Sequence, residues 1–246
     1  MIDYVVRNGM RAPLKSLPIG VMTSDVIFHC LSNINRFTGM KFPVVDEPFT
    51  VLEHSLAVAE VILDVTGNAE LARMGLWHDA AEAFLGDIAT PVKNILGRQY
   101  TDLEARVEEQ VLSYNSIPDN PELRAEVKRY DKMCCIAEIK VMTNSNNTPS
   151  VTSLMIINDW FGGYTDGCDI HIISMFVEKL KQLYHVRVSA HTDARQAMRN
   201  RAHRLDHTLC HVIANGPLVT THKFGGHDFR VTRDKNDKII NIEIMG

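Results

Sequence analysis

The spacing of the apolar residues constrains this chain more than any other feature. Through most of its length they recur at intervals of three and four, the period of an α-helix buried along one side. Val26, Ile27, Cys30, Leu31 and Ile34 form one such stripe behind Ser24, which reads as a cap, so a helix is expected from about Asp25 to Phe37 with Gly39 ending it. Leu52, Leu56, Ala59, Val61, Ile62 and Leu63 mark a helix over 51–65, closed by Thr66-Gly67-Asn68. Leu71, Met74, Leu76, Trp77, Ala80 and Ala81 mark another from Ala69 to about Phe84, until Gly86 breaks the pattern and Pro91 starts a new element. Further helices are expected near 101–115, 121–143, 151–160, 170–186 and 192–214. The opening stretch with Pro13 and Pro18 reads as irregular, and 40–50 and 144–150 read as loops. After Gly216 the period shortens. Leu218-Val-Thr-Thr, Asp228-Phe-Arg-Val-Thr and Lys238-Ile-Ile-Asn-Ile-Glu-Ile read as strands, the last two joined by a hairpin turn across 234–237. The expected fold is mostly α: a helical bundle over 1–190, then a segment 191–246 of one helix and a small β-rich hairpin appendage, packed on the same domain.

Composition narrows the setting. With 246 residues, 45% hydrophobic and 23% charged, the chain has the makeup of a water-soluble globular protein and can bury about 70–75% of the surface its unfolded form exposes. Its five cysteines, Cys30, Cys134, Cys135, Cys168 and Cys210, are odd in number and unframed, which suits free thiols in a reducing compartment. No basic segment precedes an apolar run at the N-terminus, and no stretch approaches the eighteen or more apolar residues that span a bilayer. A cytoplasmic protein is expected, without membrane attachment. The formal charge is −4, from 26 basic and 30 acidic residues, with the excess acid in 1–190 (17 basic, 24 acidic) and a mild basic excess in 191–246 (9 basic, 6 acidic). That balance argues against a nucleic-acid coat.

Chemistry concentrates in one ordered set of residues: Glu53-His54-Ser55, then Trp77-His-Asp-Ala-Ala-Glu82, then Gly86-Asp-Ile-Ala-Thr-Pro91, then Tyr130-Asp131-Lys132. Placed on three helices, His54, His78, Asp79 and Asp131 can converge on one point. Two imidazoles and two carboxylates make a mixed nitrogen and oxygen pocket suited to a divalent Mn, Fe, Co or Zn ion rather than Ca²⁺. Adjacent residues on a helix diverge by about 100°, so His78 and Asp79 serve one ion only if it sits between their directions.

These residues resemble the HD-domain phosphohydrolases, whose pattern is a His on one helix, a His-Asp pair on the next and a later Asp. The likeness extends to the 5′-deoxynucleotidases, through Asn35-Arg36-Phe37 ahead of Glu-His-Ser and through Gly86-Asp-Ile-Ala-Thr-Pro-Val-Lys93 after His-Asp-Ala-Ala-Glu, and spans about residues 25–140. The resemblance implies an HD-type fold over 1–190. It also implies metal ligation by His54, His78, Asp79 and Asp131, proton work by Glu82 and Asp87, and a substrate side formed by Arg36, Phe37, Thr90 and Lys93. Such a metal activates water at neutral pH and withdraws charge from a phosphate oxygen. Arg36 can grip two phosphate oxygens. Either Glu82 or Asp87 can supply the proton the departing 5′-oxygen needs, and the residues do not rank the two.

The implied activity is metal-dependent release of phosphate from deoxynucleoside 5′-monophosphates, a small-molecule substrate, with homodimerisation a further expectation. Two other readings stand beside it: a deoxynucleoside triphosphatase using the same metal core, which calls for more cations along the phosphate chain, and a nucleotide-sensing module without turnover. The row His203, His207 and His211 invites a second metal site, but no Cys or carboxylate shows ligand spacing to it, and an ordinary helix face is the simpler reading. Arg195, Arg199, Arg201 and Arg204 on the same stretch are read as a solvated face. Phe37 and Lys93 also have plain alternatives, a core ring and a solvated amine.

Overall fold

The computed structural model describes residues 4–40, 48–142, 168–189, 193–215, 218–224, 227–233 and 239–245. The expected helix at 151–160, the loop at 144–150 and the turn at 234–237 lie outside these residues.

The chain is mostly helical. Helices α1 (Ser24–Leu31), α2 (Val51–Thr66), α3 (Ala69–Trp77), α4 (Glu82–Leu85), α5 (Thr90–Leu96), α6 (Arg98–Tyr114) and α7 (Pro121–Met142) are followed by α8 (Ile170–Ser189) and α9 (Ala194–Asn215). Strands β1 (Tyr4–Arg7) and β2 (Met10–Pro13) form an antiparallel hairpin, and β3 (Leu218–Phe224), β4 (His227–Arg233) and β5 (Ile239–Met245) form an antiparallel sheet in that order. The C-terminal strands therefore stand where the shortened apolar period puts them. The N-terminal hairpin was not expected. Its signal is Asn8-Gly9, both at positive φ (50° and 72°), the pair a tight two-residue hairpin turn calls for.

α2 is the central helix. Its residues 51–62 are all buried, and it packs against α1, α3, α7, α8 and α9. A reciprocal cap starts it: the Thr50 hydroxyl accepts from the Glu53 backbone N–H, and Glu53 Oε2 accepts from the Thr50 N–H at 2.9 Å. Gly67 ends it in the left-handed conformation (φ 66°). Gly75 sets the fit of α3 on α2. A Cβ there would lie 2.8 Å from Ile62 Cδ1 and 3.2 Å from Val58 Cγ1, so the absent side chain lets the two helices close.

Two expected helices end early. α1 stops at Leu31, six residues before Phe37, because the Ser32 hydroxyl and the Asn33 amide both donate to the His29 carbonyl and compete with the next helical turn. Its cap position is Thr23 rather than Ser24. The helix from Ala69 stops at Trp77 instead of Phe84, and tighter turns follow: Ala80 N–H to Trp77 O at 2.9 Å and Glu82 N–H to Asp79 O at 3.0 Å.

α9 packs on α1, α2, α3 and α8. Arg201 and Lys179 both pair with Glu60 of α2. Among the described residues no helix is long and apolar enough to cross a membrane.

Candidate metal centre

His54 rises from the fourth position of α2 and is wholly buried. His78 and Asp79 sit where α3 gives way to the tighter turns, and Asp131 lies midway along α7. The two adjacent side chains nonetheless bring their donor atoms together at one point. His54 Nε2 lies 3.0 Å from Asp131 Oδ1 and 3.8 Å from Asp79 Oδ2. His78 Nε2 lies 3.2 Å from Asp79 Oδ2 and 3.8 Å from Asp131 Oδ1. The four atoms thus form a ring in which nitrogen and oxygen alternate.

The dimensions suit an ion. Metal bonds of about 2.0–2.2 Å to nitrogen and oxygen place neighbouring donors about 2.9–3.6 Å apart at right or tetrahedral angles. Two sides of the ring fall in that range, and a small inward movement brings in the other two. His78 supplies an independent sign. Its Nδ1 is 2.7 Å from the Gly75 carbonyl oxygen, which keeps a proton on that nitrogen and turns Nε2 toward the ring, where the buried atom makes no hydrogen bond of ordinary geometry. A divalent cation would satisfy it.

The electrostatics say the same. Burial opposes protonation of His78, but the adjacent charge of Asp79, with Asp131 beyond it, raises its pKa well above the usual imidazole value. Burial and the Arg36 charge oppose protonation of His54, yet Glu138 and Asp131 raise it as well. Burial alone would raise both aspartates, but the neighbouring histidines hold Asp79 at about 2 and Asp131 well below the carboxylate range. Two half-buried carboxylates side by side demand positive charge, which protons provide when no metal does.

Around the ring stand the other expected residues. Arg36 lies 3.7 Å from Asp79 through Nη1, and its guanidinium is 5.4 Å from the centre of the Phe37 ring. Phe37 and Thr38 both have positive φ (51° and 54°), an unusual backbone for non-glycine residues directly after the arginine. Glu82 is buried, with one oxygen unpaired and the other 4.0 Å from Lys93 Nζ. Burial, followed by the charges of Asp79 and Asp87, pushes its carboxyl up to about 9, so it holds a proton at neutral pH. Burial also raises Asp87, against the pull of Arg36. Lys93 is not a solvated amine: Glu104 holds it at 2.6 Å. Thr90 stands exposed at the head of α5, outside these contacts.

Glu138 escaped the sequence reading. It is wholly buried, with Oε1 2.8 Å from His54 Nδ1 and Oε2 3.1 Å from an Arg36 nitrogen. Two signals pointed to it: it follows Asp131 by seven residues, two helical turns on the same face, and it is an acid inside the apolar run from Cys134 to Ile139. His54, Cys134 and Glu138 also lie close enough to hold an ion, but the Arg36 guanidinium on Glu138 makes that corner unfavourable for a second cation. The candidate ion-holding groups among the described residues include none of His203, His207 and His211. His203 packs its ring edge on Phe28 at 5.0 Å and pairs with Asp25 at 3.2 Å.

Comparison with known proteins agrees with the motifs. The chain is 35% identical over 96 residues to an uncharacterized protein of Rhodobacter capsulatus, an alignment that covers 38% of this chain and 47% of that protein. Residues 26–130 match the family model described as 5′-deoxynucleotidase YfbR-like, a stretch that holds Arg36, His54, the His78-Asp79 pair and Glu82 and ends one residue before Asp131. Residues 26–130 are therefore similar to the YfbR-like 5′-deoxynucleotidases, an HD-domain family.

Proposed function

We propose that this protein is a divalent-metal-dependent phosphohydrolase that cleaves deoxynucleoside 5′-monophosphates into deoxynucleoside and inorganic phosphate. The observation that carries this reading is the alternating ring of His54, Asp131, His78 and Asp79 donor atoms with Arg36 and the buried Glu82 beside it. These four residues would hold the ion, which when bound supplies an activated water and draws charge from a phosphate oxygen. Arg36 keeps N–H groups beyond those it gives to Glu138, and these can bind two oxygens of a phosphate. Phe37, beside it, forms part of the substrate side. Glu82, protonated by its surroundings, can donate to the departing 5′-oxygen, and Asp87 can relay or restore that proton. Lys93 places positive charge near Glu82 and favours the ionised state that follows donation. Thr90 would act at the rim. Residues 1–190 and the helix α9 work as one unit in this reading, since α9 packs directly on α2 and α3. The substrate is a free nucleotide and the setting the cytoplasm, with a homodimer as the assembly.

The test is product analysis on a panel of nucleoside mono-, di- and triphosphates after chelation and reloading with Mn²⁺, Co²⁺, Fe²⁺ or Zn²⁺. Phosphate from deoxynucleoside monophosphates in metal-loaded protein alone supports the reading. Tripolyphosphate from dATP with inert monophosphates replaces it with a triphosphatase, and metal uptake without turnover of any nucleotide replaces it with a sensing module.

A further inference from the structure

We propose that Glu138 is a positioning residue that ties the metal ligand His54 to the phosphate-facing Arg36; the inference rests on the phosphohydrolase reading. Each oxygen of its carboxyl group has a different partner. Oε1 is 2.8 Å from His54 Nδ1, while Oε2 is 3.2 Å from Arg36 Nε and 3.1 Å from Arg36 Nη2. The first contact keeps the His54 proton on Nδ1 and turns the Nε2 lone pair toward Asp131 and Asp79. The second occupies one edge of the guanidinium and leaves Nη1 on the Asp79 side, 3.7 Å from Oδ2. A fully buried acid thereby fixes two side chains that come from different elements, α2 and the turn after α1, and must meet at one ion and one phosphate. α7 contributes both Asp131 and Glu138 from one face, so the helix that carries a ligand also carries the brace of another ligand.

A mere charge partner for Arg36 would not affect metal binding, and this separates the two roles. Glu138→Gln keeps shape and volume, but its single carbonyl oxygen can accept from only one partner, and the NH₂ group then faces the other. Metal-stripped wild-type and E138Q protein are titrated with Mn²⁺ by calorimetry, with no nucleotide present. The expected result is a Kd higher by about 10–100-fold in E138Q with an unchanged circular dichroism spectrum. With deoxynucleotide substrate, KM rises together with a fall in kcat. E138Q that binds Mn²⁺ within twofold of wild type overturns the inference. A second measurement needs no variant: Co²⁺-loaded wild-type protein should show two strongly shifted, exchangeable imidazole N–H resonances, His54 held by Glu138 and His78 held by Gly75. A single such resonance overturns the inference even if E138Q does not fold. Failure of the parent reading appears elsewhere, as wild-type protein that loads metal normally and releases phosphate from no nucleotide.

Discussion

Asp206 Oδ1 accepts the indole N–H of Trp77 at 2.9 Å, so the residue directly before the His78-Asp79 pair is held by α9, far along the chain. The same oxygen accepts from Arg73 Nε at 2.9 Å, and Arg73 also donates to the carbonyls of Asn115 and Ser116. One carboxylate thus pins α3, the connection between α6 and α7, and α9 together.

Asp206→Ala removes the acceptor of two buried donors while Arg73 keeps its carbonyl contacts. A loss of about 1–3 kcal/mol is expected. It should appear as a lower urea midpoint with an unchanged slope, and as a Tm lower by about 2–4 °C for each kcal/mol.

Gly75→Ala tests the α2–α3 approach. The added methyl meets Ile62 and Val58, which must shift, and about 1–3 kcal/mol of stability should go with them. Because α3 leads into His78, weaker Mn²⁺ binding should accompany the lower Tm; stability lost with metal affinity intact would mean that the helix spacing does not set the ring.

Metal uptake should release protons. In the metal-free protein both His54 and His78 have raised pKa values, yet only neutral imidazole binds a metal, so affinity should increase from pH 6 to pH 8. Calorimetry in two buffers of different ionisation enthalpy measures the protons released. Mn²⁺ at one hundred times its Kd should stabilise the fold by about 2.7 kcal/mol.

Asp79→Asn keeps the shape of the ring but removes one of its two negative charges. Several kcal/mol of transition-state stabilisation depend on the metal, and each 1.36 kcal/mol is tenfold, so turnover should fall by about 100-fold or more. Circular dichroism should match wild type, and unchanged turnover would exclude Asp79 from the chemistry.

Glu82→Gln separates stability from activity. The Glu82 carboxyl sits at about 9 in the folded protein, above its ordinary value of 4.5, so between these limits the folded state binds more protons than the unfolded one. Its contribution is therefore favourable at low pH and is lost as pH rises through that window. The glutamine variant, stripped of metal, should be more stable than wild type at pH 8.5 and close to it at pH 5, as read from urea midpoints. Its turnover should drop by about 10²–10⁴-fold.

The long helices are legible in the apolar spacing, and the motif order names the residues that the fold brings together. Apolar spacing marked α2 from Val51 to its glycine stop, and α6, α7, α8 and α9 follow the same period within a few residues. Those stripes are local, since burial on one face repeats with the helical turn. The order Glu-His-Ser, His-Asp-x-x-Glu and Gly-Asp-x-x-Thr-Pro-Val-Lys likewise drew together residues that the fold places around one point.

How those residues meet depends on the packing of the helices. The helix carrying Trp77 gives way there to i→i+3 turns although the apolar stripe runs on through Ala80 and Ala81, so helical periodicity does not mark the stop. Glu138 carries a local sign, its place in an apolar run, but its role and that of Asp206 depend on partners that arrive from other elements. Glu138 is defined by His54 and Arg36, 84 and 102 residues away, and Asp206 by Trp77, 129 residues away. Local spacing encodes which face of a helix is buried, while the pairing of charges inside the bundle depends on which faces come to lie against one another.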